Sequence, residues 1–268
     1  MEIRLRIAND YLAVQVRGVF DEGAAGQNVG RDQICGGSRL RTSLSADCFF
    51  FVNPSYFVGW SLFRLMYATY FRWRIYHPER VPRSGPVILA SNHASFLDPP
   101  LVGSALPRPI NYLARESLFR FPPVGALLRS WNSVPVDRDG GGAAGLRAIF
   151  ARLQAGGAII LFPEGTRSRD GNLQPARSGI GLTVIKSSAP VVPVRVFGTF
   201  EAFGRHVRFP KPHRVVVKYG YPMNFAVQRA EAKVCSKARV KEIYRDVADE
   251  IMSAIGGLQP CRDVTSFP

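Results

Sequence analysis

Beyond Pro82 the chain alternates short, uninterrupted apolar runs with segments of helical periodicity, and that alternation restricts its possible folds more than any other feature. The runs are 86–91 (PVILAS), 110–114 (INYLA), 132–137 (NSVPVD), 158–162 (AIILF), 191–197 (VVPVRVF) and 214–219 (RVVVKY). Runs of this length with no polar alternation read as strands covered on both faces. Between them, Leu146, Ile149, Phe150 and Leu153 repeat at helical spacing over 143–155 and stop at Gly156-Gly157, a helix ending. A weaker helix is expected over 179–188. A strong one carries Val240, Ile243, Tyr244, Val247, Ala248, Ile251, Met252 and Ile255 on one face and ends at Gly256-Gly257. The expected fold is α/β, a mostly parallel sheet covered by helices on both faces, preceded by an N-terminal membrane-associated helical segment. Ligands of such sheets bind at the carboxyl ends of the strands.

The chain has 268 residues, enough for one sizeable core. Its net charge of +15 points to an anionic partner, either nucleic acid, an anionic membrane or a phosphorylated substrate. Cys35, Cys48, Cys235 and Cys261 show no zinc spacing and no disulfide framework, so a reducing compartment and no metal are expected. The first residues lack a leader-like apolar core followed by a cleavage site, which argues against secretion. Residues 1–47 are glycine-rich and read as a poorly ordered extension. Residues 48–80 form the helical segment, 81–257 the α/β domain and 258–268 a tail.

From Cys48 to Phe71 the sole charge is Arg64. The uninterrupted part after Pro54 is about 17 residues, about 25 Å as a helix, at the lower limit for crossing a bilayer. Trp60, Tyr67 and Tyr70, a snorkelling Arg64, and Arg72, Arg74 and Arg80 just beyond suit a helix lying in one leaflet. A buried core helix is the competing reading.

Chemistry gathers at the strand ends. "SNHASFLD" follows the first strand and sets His93 five positions before Asp98. On a continuous helix the two would point to different faces. Pro99 disfavours helical geometry at Asp98, and a turn there folds the carboxylate back onto the imidazole, fixing its tautomer. Asp98 as a plain helix cap is the alternative. "LFPEGTRSR" closes the fourth strand with Glu164, Gly165, Thr166 and Arg167, in which the glycine permits close backbone approach and the guanidinium suits phosphate. "SVPVDRD" presents Arg138, and "VVPV" an apolar wall around Pro193.

The blocks NHASFLD, SVPVDR, FPEGTRS and APVVPV resemble the four motifs of the glycerolipid acyltransferases, within them the 1-acylglycerol-3-phosphate acyltransferases, over roughly residues 53–255. The resemblance implies acyl transfer from acyl-CoA or acyl carrier protein to a lysophosphatidate hydroxyl, giving phosphatidate. Glycerol-3-phosphate or another lysophospholipid is the alternative acceptor. It further implies His93 as general base and Asp98 as its orienting partner. Asn92, Arg115, Arg138, Glu164, Gly165, Thr166, Arg167, Arg177 and Pro193 are implied around the substrates, with Arg138 on the acceptor phosphate. Arg115 and Arg177 stand where lysine is common. No cofactor is implied. The expected setting is a membrane surface with the active site on its cytoplasmic side, and the oxyanion donors are first sought among the PEGT amides.

Two rivals come from other classes. Gly140, Gly142 and Gly145 imitate a dinucleotide fingerprint, with Glu164 nineteen residues after the last. The fingerprint ordinarily opens a domain, however, and would leave the NHASFLD and FPEGTRS blocks without a role. Nucleic-acid binding rests on charge alone, with no recognition motif.

Overall fold

The computed structural model describes the backbone of residues 3–8 and 11–16, and residues 54–136 and 143–259. Expectations for 17–53, for Arg138 with Gly140 and Gly142, for the first two and last cysteines, and for the tail beyond Gln259 lie outside the described residues. Ile3–Ala8 (β1) and Tyr11–Val16 (β2) pair antiparallel in a small unit of their own.

The second unit is built on a seven-stranded sheet. Its strands are Arg74–Tyr76 (β3), Val87–Ser91 (β4), Ile110–Arg115 (β5), Ser133–Val136 (β6), Ala158–Leu161 (β7), Val191–Phe197 (β8) and Val216–Tyr219 (β9). Their order is β3-β9-β8-β4-β7-β5-β6. All neighbours are parallel except β8 and β9. All six expected strands are present within a residue or two of their expected ends. The short edge strand β3 has no apolar run to announce it.

β4 is buried along its whole length, and its side chains divide by the period of two. Val87 and Leu89 join one core with the strand valines Val192, Val194 and Val217 and with Leu97, Leu101 and Leu106. Ile88 and Ala90 join the opposite core with Ile149, Ile180, Val184, Ile243, Val247 and Ile251. The first core is covered by α1 (Pro54–Thr69) and α2 (Asp98–Ser104), the second by α4 (Ala143–Gln154), α5 (Ser178–Lys186) and α8 (Lys237–Gly257). Between α2 and α4 runs α3 (Pro122–Ser130), while α6 (Thr199–Phe203) and α7 (Ala226–Val234) follow β8 and β9. Burying each Leu, Ile or Val contributes about 1.5–3 kcal/mol, so the central strand is the costliest place to make polar. Helix α8 turns the expected stripe inward: Ile243, Val247, Ala248, Ile251 and Ile255 are buried. Ser236 caps its start by accepting from the Arg239 amide.

Helix α1 has two faces. Tyr56, Gly59 and Tyr67 are buried, and Tyr67 donates its hydroxyl to Leu97 O at 2.7 Å. Trp60 Nε1 donates to Leu106 O at 3.0 Å, and Gly59 lies so close to Trp131 that a Cβ would fall 2.7 Å from its ring. Arg64 does not snorkel: Nη1 donates to Ser104 O at 2.9 Å, and the guanidinium sits over Trp60 and Trp73. The other face leaves Phe57, Val58, Leu62 and Leu65 exposed. Among the described residues no helix is long and apolar enough to cross a membrane.

Candidate active site

Adjacent parallel strands β4 and β7 set the site. Ala90 pairs with Leu161, so His93 and Glu164, each three residues further on, emerge side by side at the carboxyl edge. Their contact follows from that register. The His93 amide donates to Glu164 Oε1 at 2.9 Å, and the Ser168 amide donates to His93 O at 2.7 Å. The PEGTRS turn thus grips the histidine by both backbone groups. Phe162 stacks on the imidazole, with centroids 4.0 Å apart and planes 20° apart.

The ring is held from the other side by Asp98. Oδ2 of Asp98 accepts from His93 Nδ1 at 2.8 Å and from the amides of Ala94 and Ser95, each at 2.7 Å. The imidazole is 12% exposed and the carboxylate fully buried. With Nδ1–H directed at a carboxylate, Nε2 is the basic nitrogen. The pairing holds and the cap reading does not: Leu97 is the N-cap of α2, Asp98 is its first residue with its carboxylate turned back to residues 93–95, and Pro99 and Pro100 occupy the first turn, where a missing N–H costs nothing. The expectation that Pro99 keeps Asp98 out of helical geometry is therefore corrected. The turn that brings carboxylate to ring lies in residues 94–97, ahead of the helix.

Glu164 points inward. It is 3% exposed, and Oε2 has no hydrogen-bond partner among the described residues. Burial pushes its carboxyl up to about 7, against hydrogen bonds from the His93 and Gln174 amides and with the charges of Asp98 and Asp170 adding to the rise. Gly165 has φ +69, and a Cβ there would lie 2.7 Å from Arg177 Cδ. The left-handed backbone is what favours glycine here, and the Arg177 side chain passes over the same position. The Gly165 amide is spent inside its own turn on Phe162 O at 2.9 Å, and the 93–95 amides are equally engaged.

Arg167 lays its guanidinium 3.5 Å from the Phe96 ring centroid, a cation–π stack on an exposed aromatic. Thr166 Oγ1 accepts from Arg205 Nη2 at 2.6 Å. His93, Asp98, Glu164, Gly165, Thr166, Arg167 and Arg177 are therefore one cluster. Asn92 spans to β8, its amide group donating to Val196 O and accepting from Val196 N–H at 3.1 and 2.8 Å. Pro193 is buried inside β8 opposite Ala90. Arg115 ends β5, separated from β4 by β7. Ser95, a conceivable nucleophile, is buried, donating to Phe203 O at 2.7 Å and accepting from the Leu97 amide. Phe162, Ser168 and Arg205 were not singled out in the sequence. A Phe before PEGT and a Ser after it were in plain view, whereas nothing local marks Arg205.

The site is a carboxylate-braced histidine at the carboxyl edge of a parallel sheet, beside a glycine turn that carries arginine, and residues 72–197 match the model of the Acyltransferase family. The chain is similar to proteins named 1-acyl-sn-glycerol-3-phosphate acyltransferase. One from Limnanthes douglasii is 32% identical over 140 residues, covering 51% of this chain and 50% of that protein. One from Bacillus subtilis (strain 168) is 28% identical over 126 residues, 47% of this chain and 62% of that protein. The chain spans about half the length of the curated relatives it matches. The 1-acyl-sn-glycerophosphate (LPA) acyltransferase PlsC of Thermotoga maritima shares the fold, with a TM-score of 0.60 at 22% identity over 76% of this chain and 81% of that one. The dinucleotide reading loses its acid, because Glu164 is buried on the histidine amide.

Proposed function

We propose that the protein acylates 1-acylglycerol-3-phosphate to phosphatidate, taking the acyl group from an acyl thioester of coenzyme A or acyl carrier protein. The observation that carries this reading is the 2.8 Å bond between His93 Nδ1 and buried Asp98, made next to an arginine-bearing turn. His93 Nε2 takes the proton of the acceptor's free hydroxyl as its oxygen attacks the thioester carbonyl. The tetrahedral intermediate collapses, the C–S bond breaks, and the thiolate recovers the proton from Nε2. An ester forms and a thioester is lost, with no enzyme nucleophile. Asp98 holds the tautomer and stabilises the imidazolium. Arg167, Arg177, Arg115 and Arg138 supply positive charge for the acceptor phosphate. The apolar face of α1 rests in the cytoplasmic leaflet and brings the site to its lipid acceptor.

The test is purified protein in mixed micelles with one labelled acyl thioester and a panel of acceptors. Lysophosphatidate should be the best acceptor, and His93→Ala should lower transfer by about a thousandfold or more while leaving the circular dichroism spectrum unchanged. Appreciable transfer by that variant, or preference for an acceptor without phosphate, would overturn the assignment.

A further inference from the structure

The sheet edge that holds His93 also opens into a cavity, and strand order explains why. β8 and β9 are antiparallel with Phe197 opposite Val216, so the residues entering β9 lie beside those leaving β8. β3 runs parallel to β9 with Arg74 paired to Val216. Arg72 and Arg214, each two residues ahead of that pair, therefore arrive together at the end of β8. Asn92, hydrogen-bonded to the backbone of Val196, brings the His93 loop to the same place. These segments enclose a cavity of about 880 Å³, the size of a small-molecule site. Asn92 and Ala94, the neighbours of His93 on either side, form part of its wall.

The lining combines cations with aromatic surface. Arg72, Arg195, His213 and Arg214 contribute to it, against Glu201 as the one acid among the described lining residues. None of the three arginines forms an ion pair among the described residues. Arg195 is oriented by Gly256 O and Leu258 O, which both accept from Nη1, and lies over the Phe197 ring. Tyr70, Phe197 and Phe200 supply aromatic surface. Thr199 also lines the cavity, and its Oγ1 is buried without a hydrogen-bond partner among the described residues. Guanidinium groups bind phosphate through paired N–H bonds, and aromatic faces take a base by stacking. An acyl chain would use neither, and an isolated phosphate would leave the rings without a role. A phosphorylated purine nucleotide uses both.

We propose that this cavity binds the nucleotide of a coenzyme A donor, with its phosphates on Arg72 and Arg214 and its purine against the aromatic wall. The pantetheine arm then carries the thioester to the adjoining His93. The proposal rests on the acyl-transfer reading above and narrows its donor, because acyl carrier protein presents the same arm without a purine.

Arg72→Ala and Arg214→Ala should each raise the KM for acyl-CoA about tenfold, the size of one charge-assisted bond, with kcat and the acceptor KM nearly unchanged. Arg214→Lys should recover part of the loss. With acyl-pantetheine, which lacks the nucleotide, both alanine variants should match wild type. Arg208→Ala, altering an exposed arginine outside the cavity lining, should change no constant. An unchanged KM for acyl-CoA, in variants that still transfer acyl groups, overturns the proposal. An equal loss with acyl-pantetheine does the same by giving the arginines a structural role, and a rise confined to the acceptor KM does so by assigning the cavity to the lipid phosphate. Transfer from acyl carrier protein alone also overturns it. Should the wild-type protein transfer no acyl group, the acyl-transfer reading fails, and equilibrium titration with adenosine bisphosphate decides for the cavity. Saturable binding that Arg214→Ala weakens upholds nucleotide recognition there, and no binding, or binding that the substitution leaves unchanged, refutes it.

Discussion

At His93 a carboxylate oxygen does three jobs at once. Asp98 Oδ2 takes the ring N–H and two backbone amides, while Oδ1 is buried without a partner among the described residues. Leaving a buried acceptor unpaired costs about 1–3 kcal/mol, so the turn is arranged for the imidazole and not for the comfort of the carboxylate. Glu164 Oε2 is bare in the same way, and the two buried acids repel each other. The consequence is a pH dependence with a defined sign. Glu164 titrates at about 7 in the folded protein and near 4.5 when unperturbed. Between those values the folded state holds a proton that the unfolded chain has released, so its contribution to stability is present at low pH, falls through the interval and is lost above about 7. His93, Asp98 and Asp170 face the same carboxyl, so the effect is read as a difference between proteins. Melting temperatures from about pH 5 to about pH 8 should decline more steeply for wild type than for Glu164→Gln. Parallel curves would show that Glu164 is already ionised throughout.

Among the elements, the pair α5 and α8 shows how packing sets limits that no local pattern announces. Gly181 lies where a Cβ would stand 1.9 Å from Tyr244 O, a backbone atom that no rotamer change can remove. Gly181→Val should therefore separate the helices and destabilise the fold by about 2 kcal/mol or more, visible as a lower denaturation midpoint. Gly179→Val, where the added atom meets nothing within 4 Å, should cost much less, and equal losses would refute the packing account. Helix α1 makes the complementary point. The core reading describes one of its sides, where Tyr67 is buried and hydrogen-bonded, while the other leaves Leu62 and Leu65 exposed. With aromatic residues on nearly every side of the helix, its pattern alone could not say which face is buried.

For the molecule as a whole, a net charge of +15 and the exposed apolar stripe of α1 act together. Each basic group near an anionic leaflet adds about 1 kcal/mol, screened within a Debye length of about 10 Å at 0.1 M salt. Flotation with vesicles containing anionic lipid should retain the protein at low salt and release much of it as salt rises, whereas Leu62→Asp with Leu65→Asp should weaken retention at every salt concentration. Indifference to those two substitutions would remove α1 from the membrane contact. Some basic residues are engaged within the protein: Arg229 hydrogen-bonds Val184 O and Ala189 O, and Arg239 pairs with Glu231, Glu242 and Asp246. What could be read from residue order was whatever depends on near neighbours: six strands from unbroken apolar runs, α8 from its repeat, and the meeting of His93 with Asp98 across one turn. Contacts between distant segments needed the folded sheet. The β4–β7 register placed Glu164 on the histidine amide, the left-handed backbone of the PEGT turn explained Gly165, and the loop after α6 carried Arg205 to Thr166. The division is physical, since periodicity and turn chemistry act over a few residues, whereas register and packing are fixed when separate stretches bury a common core.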